Sequence, residues 1–356
     1  MTTVLPAPSP DRFLSLLPHL AGCTPRESLV LVPFHGTRSI GVLRLDLPHD
    51  ADLAQYAATA IGMVCRVRDA DALAIVVYAD TPFVAARSTH RALVDRVRER
   101  ARDCGLAVHG AHLVAADGWG SCDGDDGPRP LGEIAPAAWG DAADDVSADQ
   151  RAGAALPKLG KAARRRVAEA IEELAPLISE RGVGGTSSRT SLDFLTGVFE
   201  DALSWDPADL HPAEAAVLTV TLATPLLRDV ALTQWSADLA CGQRTLEWQL
   251  RWQRGERAVP DEPLRLAGDG PRPDPERLRR ALELTRYVAA GAPARYRAGA
   301  LASAGWISWA LGNSTHAGWY VERALVSDPE HGLAGLLREI LDAAHLPAWA
   351  FERAVA

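Results

Sequence analysis

The stretch ALAIVVYAD, residues 72 to 80, runs without charge or proline up to its final aspartate. Its length is that of a strand, and an unbroken apolar run fits a strand covered on both faces. A chain that holds such a strand must supply a packing layer on each side of a sheet.

The flanking segments have the periodicities to do so. SLVLVPF (28 to 34) and SIGVLRLDLP (39 to 48) are β-rich, and the short HGTR between them suits a hairpin. ADLAQYAATAIGMVCRVRDA (51 to 70) places Leu53, Ala57, Ala60, Ile61, Val64 and Val67 at helical spacing. RSTHRALVDRVRERARDCG (87 to 105) gathers Leu93, Val94 and Val97 on one face and stops at Gly105. LAVHGAHLVAAD (106 to 117) alternates loosely and reads as a fourth strand. The order β-β-α-β-α-β predicts an α+β or α/β fold, with a small mixed sheet and helices packed on it.

From Gly118 to about Gln150 the chain is dense in Gly, Asp and Pro and reads as a loop or linker. Beyond Gln150 the sequence reads as helical throughout. Pro157 marks a break within 147 to 182, and further helices are expected near 190 to 204, 212 to 223, 225 to 240 and 243 to 254. The expected division is therefore a sheet domain over 1–120, a linker over 121–150 and a helical domain over 151–356.

Residues 300 to 334 align without a gap to a tetratricopeptide repeat, whose period is about 34 residues. Gly305, Trp309, Gly312, Ala317, Tyr320, Ala324 and Pro329 hold matching positions, whereas Leu301 and Ala304 replace the usual leading aromatic and Leu. Small residues at Gly305 and Ala317 let two helices approach, Gly312 permits a turn, and Pro329 ends the second helix. The helical part is thus expected to end in a tetratricopeptide-like hairpin, which needs neighbouring helices to cover it.

Three separated stretches, FLSLLPHLAGCTPRESLVLV, LLRDVALTQW and RAGALASAGWISWALGNSTHAGWYVERALVSDPEHGLAGLLREIL, resemble an uncharacterised actinobacterial family described as a domain of unknown function. The resemblance implies no activity. Members of that family often follow the fourth strand with a Trp-Trp-Ser-like element and clustered cysteines, whereas this chain has DGWGSCDGDDGPRPLG, with Trp119 and Cys122 only.

Charge and cysteine content narrow the partners. The net charge is -9, with 13 Arg and no Lys against 20 acids in residues 1 to 150 and 24 cations against 26 acids after them. An acidic front half repels phosphate backbones, so no nucleic acid partner is expected. Five cysteines at wide spacing, Cys23, Cys65, Cys104, Cys122 and Cys241, fit a reducing cytoplasm better than a disulfide framework or zinc site. The N-terminus has neither a basic n-region nor a long apolar core, and no window reaches a membrane span, so no membrane association is expected. The sparing use of Lys (158 and 161) and Asn (313) beside abundant Ala and Arg points to a GC-rich bacterial genome.

Candidate chemistry is sparse. Cys23 precedes a strand and Ser28 opens it, rather than sitting on a nucleophile elbow, and no Gly-x-Ser-x-Gly occurs. RGVGGTSSRT (181 to 190) follows a helix and lacks the Gly-Lys-Ser/Thr ending of a phosphate loop, so it reads as a linker. His109 and His112, three apart on a strand, are expected on opposite faces. Arg164, Arg165 and Arg166 are offset in sequence by Glu169, Glu172 and Glu173, which reads as a salt-laced helix face. Trp248 with Trp252, and Trp306 with Trp309, each share a helix face and read as core.

Ligands in open α/β sheets bind beyond the carboxyl ends of strands. That rule selects Asp80 and Thr81 after the third strand and Asp117, Gly118 and Trp119 after the fourth as candidate ligand-binding residues, with Arg26, or Arg228 and Asp229, contributed from elsewhere in the chain. No catalytic residue, metal ligand or cofactor is expected. The preferred reading is a non-catalytic cytoplasmic binding or scaffolding protein that meets a protein partner through its helical half. The alternative is a small-molecule sensor or enzyme using the strand-end residues.

Overall fold

A computed structural model describes residues 9–49, 52–124, 126–134, 146–182, 189–256 and 265–352. The glycine-rich loop at 181 to 190 falls largely outside the described residues. The chain divides into two compact units, one comprising 1–153 with 351–356 and the other 154–350.

The first unit is a six-stranded mixed sheet. Its strands are β1 (Ser28–His35), β2 (Arg38–Ser39), β3 (Leu43–Asp46), β4 (Ala72–Tyr78), β5 (Ala107–Ala115) and β6 (Gly118–Ser121). They lie in the order β2-β1-β4-β5-β6, with β3 also paired to β1. β1 is antiparallel to β2, β3 and β4, β4 is parallel to β5, and β5 is antiparallel to β6. Every residue of β4 is buried, as its unbroken apolar run requires. Leu73, Ile75 and Val77 pack against α2 (Leu53–Arg66) and α3 (Phe83–Asp103). Ala74, Val76 and Tyr78 face the other way, towards Leu14 and Leu17 of α1 (Pro10–Ala21).

Two details depart from the sequence pattern. The expected loop starting at Gly118 begins instead with β6, where close approach demands glycine. A Cβ on Gly120 would lie 2.9 Å from the Phe83 ring, and one on Gly118 would lie 2.7 Å from the Arg129 carbonyl oxygen. In β5, Leu73 pairs with Val108 and Ala74 with Gly110, so His109 is an extra residue in a bulge. An extra residue inverts the alternation of side chains. His109 and His112 therefore lie on one face, contrary to the period-two expectation, with His109 against Phe34 at 5.0 Å and His112 against Phe13 at 6.3 Å between ring centres.

The second unit is all helical: α4 (Lys161–Gly182), α5 (Arg189–Ala202), α6 (Pro212–Ala223), α7 (Pro225–Ser236), α8 (Leu239–Gln253), α9 (Pro275–Gly291), α10 (Ala294–Ala310), α11 (Ser314–Ser327) and α12 (Gly332–Asp342). α10 is its centre, buried without interruption from Ala298 to Ala310. The turn from α10 to α11 uses Gly312 at φ +87°, a left-handed conformation that favours glycine. Trp306 and Trp309 are wholly buried, and their indole N–H groups donate to the carbonyls of Leu266 (3.0 Å) and His345 (2.9 Å). Trp252, by contrast, is 43% exposed, with Trp248 stacked 5.8 Å away, so that pair lies at the surface.

Among the described residues no single helix is long and apolar enough to cross a membrane. The bent pair α6 and α7, at 108° to one another, passes that test jointly, and both helices are largely buried within the helical core.

Candidate functional site

The strand ends of the first unit gather a polar group, built by topology. Because β1 runs antiparallel to β4 with Ser28 opposite Tyr78, the residues entering β1 meet those leaving β4. Arg26 thereby reaches Asp80, donating from Nη2 at 2.7 Å and from Nε at 3.3 Å. Both side chains remain half exposed, at 57% and 48%. Glu27 sits between them with φ +42°, a left-handed conformation that strains a non-glycine residue. Its carboxylate accepts the Asp80 N–H and its carbonyl accepts the Leu47 N–H at 2.9 Å, which holds it there.

The other candidates have structural duties. The Asp117 carboxylate accepts the Phe83 N–H at 2.6 Å, and the Thr81 carbonyl accepts the Ala116 N–H at 3.2 Å. Trp119 does not join them. It is buried on the α1 face, with the Arg129 guanidinium 5.2 Å from its ring centre and its indole N–H without a hydrogen-bond partner. The two aspartates are thus engaged with Arg26 and a helix terminus. No group of three or more metal-ligating side chains occurs among the described residues.

The possible nucleophiles at the strand entry are also occupied. The Ser28 hydroxyl donates to the Arg26 carbonyl at 2.6 Å and accepts from Arg44 Nη1 at 3.0 Å. Cys23 is buried, and burial pushes its thiol up. Gln150 clasps the Arg26 backbone, accepting its N–H at 3.2 Å and donating to its carbonyl at 2.9 Å. In sequence Gln150 goes unnoticed, and Glu27 and His90 read as solvated; instead Glu27 accepts the Asp80 N–H, and His90 is half-buried, with burial pushing its imidazole down and the Glu27 carboxylate pushing it back up. None of the three has a local motif to betray it.

A second feature lies in the helical unit. A cleft of about 350 Å³ is lined by Leu156, Pro157, Leu159, Ala289 and Ala290 together with Lys158, Arg164 and Arg297. A second, of about 510 Å³, is lined by Lys161, Ala162, Arg165 and Arg166. No carboxylate lines either. The charge balance expected along α4 is only partly realised: Arg165 pairs with Glu169 at 3.1 Å, but Glu172 is taken by Arg295 of α10. Lys158, Lys161, Arg164 and Arg166 have no ion-pair partner among the described residues. The N-terminus of α4, with its free N–H groups, adds to this positive potential.

A mixed α/β sheet unit followed by a helical unit defines a class by architecture. The chain belongs to the family described as Domain of unknown function (DUF4192), whose model matches residues 10–348. No curated protein and no solved structure matches it. The LLRDVALTQW stretch that carries part of the resemblance has a structural explanation. Arg228 pairs with Asp229 at 2.8 Å, Gln234 donates to Glu200 at 2.9 Å, and the Trp235 indole donates to the Phe199 carbonyl at 2.9 Å.

Proposed function

We propose that the protein is a non-catalytic binding protein of the actinobacterial cytoplasm, whose helical unit takes an acidic peptide segment of a protein partner. One observation carries this reading: two clefts along the first turns of α4, lined by cations and apolar side chains without a carboxylate, in a chain of net charge -9. Local potential contrary to the overall charge attracts partners of opposite sign. An elongated row of cations suits an extended acidic segment, with its apolar side chains set against Leu156 and Leu159. A tetratricopeptide-like reading of α10 and α11 fits a peptide-binding role, and five free thiols fit a reducing compartment.

The test is fluorescence anisotropy of a labelled octaglutamate peptide titrated with the full chain. The expected result is binding that weakens between about 50 mM and about 500 mM salt, as screening shortens the range of the cations. It should vanish in the Lys158→Glu/Arg164→Glu variant. No binding, undiminished binding by that variant, or equal binding of a labelled oligothymidylate would each overturn the reading.

A second reading has its own observation, the half-exposed Arg26–Asp80 pair at the carboxyl ends of β4 and β5. On it, Arg26, Asp80, Thr81 and Asp117 belong to a small-molecule site of a sensor or enzyme, without Trp119, which is buried on the α1 face. A thermal-shift screen against nucleotides, sugar phosphates, amino acids and divalent metals tests it. A shift that Asp80→Asn abolishes supports this reading, and no shift removes it.

A further inference from the structure

The smaller cleft of the helical unit gathers more positive charge than one carboxylate can answer. Lys158, Arg164 and Arg297 line it, and none of the three makes an ion pair among the described residues. Three arginines elsewhere are spent on acids: Arg98 on Asp123, Arg277 on Glu200, and Arg295, two residues before Arg297, on Glu172. Arg297 instead donates from Nη2 to the Ala292 carbonyl at 2.9 Å, while its Nε is buried without a hydrogen-bond partner. Its guanidinium is therefore held in place with donors left over.

The wall of the cleft is fixed as well. Arg286 of α9 donates to the Ala155 carbonyl, which pins the segment that carries Lys158. Leu159 seats on Gly291 at the end of α9, where a Cβ would come within 3.4 Å of the Leu159 Cδ1. A site set in place before its ligand arrives loses less freedom on binding.

On the reading that these clefts take an acidic segment, we propose that its anchoring residue is a phosphoserine or phosphothreonine, whose phosphate occupies the smaller cleft. A carboxylate brings one charge and two oxygens, and a single guanidinium fork pairs with both. A phosphate monoester brings about −1.5 to −2 charges and three acceptor oxygens. It matches two guanidinium groups, which bind oxygens through their planar forks, and one ammonium, which acts as a point charge. A cleft of about 350 Å³ is at the small end of ligand sites, roughly 300 to 1,000 Å³, and so takes one side chain set against Leu156 and Pro157. The flanking acids of the segment run on towards Lys161, Arg165 and Arg166 of the second cleft. Binding would then depend on whether the partner is phosphorylated.

The test measures the fluorescence anisotropy of two labelled octapeptides, Glu-Glu-Leu-pSer-Leu-Glu-Glu-Glu and its unphosphorylated form, titrated with the full chain. The expected result is about tenfold tighter binding of the phosphorylated peptide, an advantage that shrinks below about twofold in Arg297→Ala and in Arg164→Gln. Arg164 is exposed, so Arg164→Gln tests the cleft even if Arg297→Ala does not fold. Equal binding of the two peptides, with octaglutamate also bound, would overturn the phosphate anchor and leave the acidic-peptide reading intact. Binding of neither peptide nor of octaglutamate would overturn both. An advantage undiminished in both variants would place phosphate recognition outside this cleft and overturn the assignment. Displacement of the phosphopeptide by an equimolar amount of inorganic phosphate would mark a site for the free anion and overturn it too.

Discussion

Asp117 begins the helix that precedes it in the chain. Its carboxylate, just beyond β5, accepts the N–H of Phe83, the first residue of α3, at 2.6 Å. Pro82 occupies the N-cap position and offers no side-chain acceptor, so the cap comes from 34 residues away. Asp117→Ala should cost about 1 kcal/mol in urea unfolding, while Asp117→Asn should keep most of that stability. Equal losses in the two variants would show that the carboxamide cannot cap α3 there.

Asp80 should prove dispensable for folding. An ion pair between two half-exposed side chains contributes little, because water and salt screen it. Asp80→Asn should leave the melting temperature essentially unchanged at physiological salt. A large drop would assign the pair a structural role and rule out its use as a neutral probe of ligand binding.

Glu200 should make stability depend on acid. The Arg277 guanidinium holds its carboxyl below the usual glutamate range through bonds at 2.6 and 2.8 Å, and Gln234 adds to this. The folded value lies below the unfolded one, so the stabilisation is fully present above the unfolded pKa and disappears as pH falls through the folded value. Glu200→Gln should therefore lower stability by about 1 to 2 kcal/mol at neutral pH, with the gap to wild type closing towards about pH 3. Thermal melts across that range check both the size and the sign.

Two helical glycines should respond oppositely to alanine. A Cβ on Gly299 of α10 would run into the Leu222 carbonyl and come within 2.7 Å of the Ala223 Cα, both backbone atoms at the end of α6. Gly299→Ala should cost about 2 to 3 kcal/mol, because backbone cannot rotate aside. Gly318 of α11 meets nothing within 4 Å, so Gly318→Ala should gain about 0.5 to 1 kcal/mol from helix propensity. Parallel urea titrations separate the two effects.

The sequence by itself determined the elements whose cause is local. The apolar run of β4, the helical spacing in α2 and the unbroken succession of helices after residue 160 were legible because burial and periodicity are written in consecutive residues. The helix α3 was legible except for its first turn, whose cap is remote. Tertiary structure alone decided the rest. One bulged residue put His109 and His112 on the same face, and the close approach of Phe83 and Arg129 made a strand of a glycine-rich stretch that reads as loop. Antiparallel pairing of β1 with β4 spent Asp80 on Arg26. The Arg and Glu residues of α4 looked balanced in sequence, yet Glu172 was drawn off to another helix and left cations facing two clefts. Side-chain pairing across such distances depends on register and on which faces meet, and the composition of a single segment does not specify either.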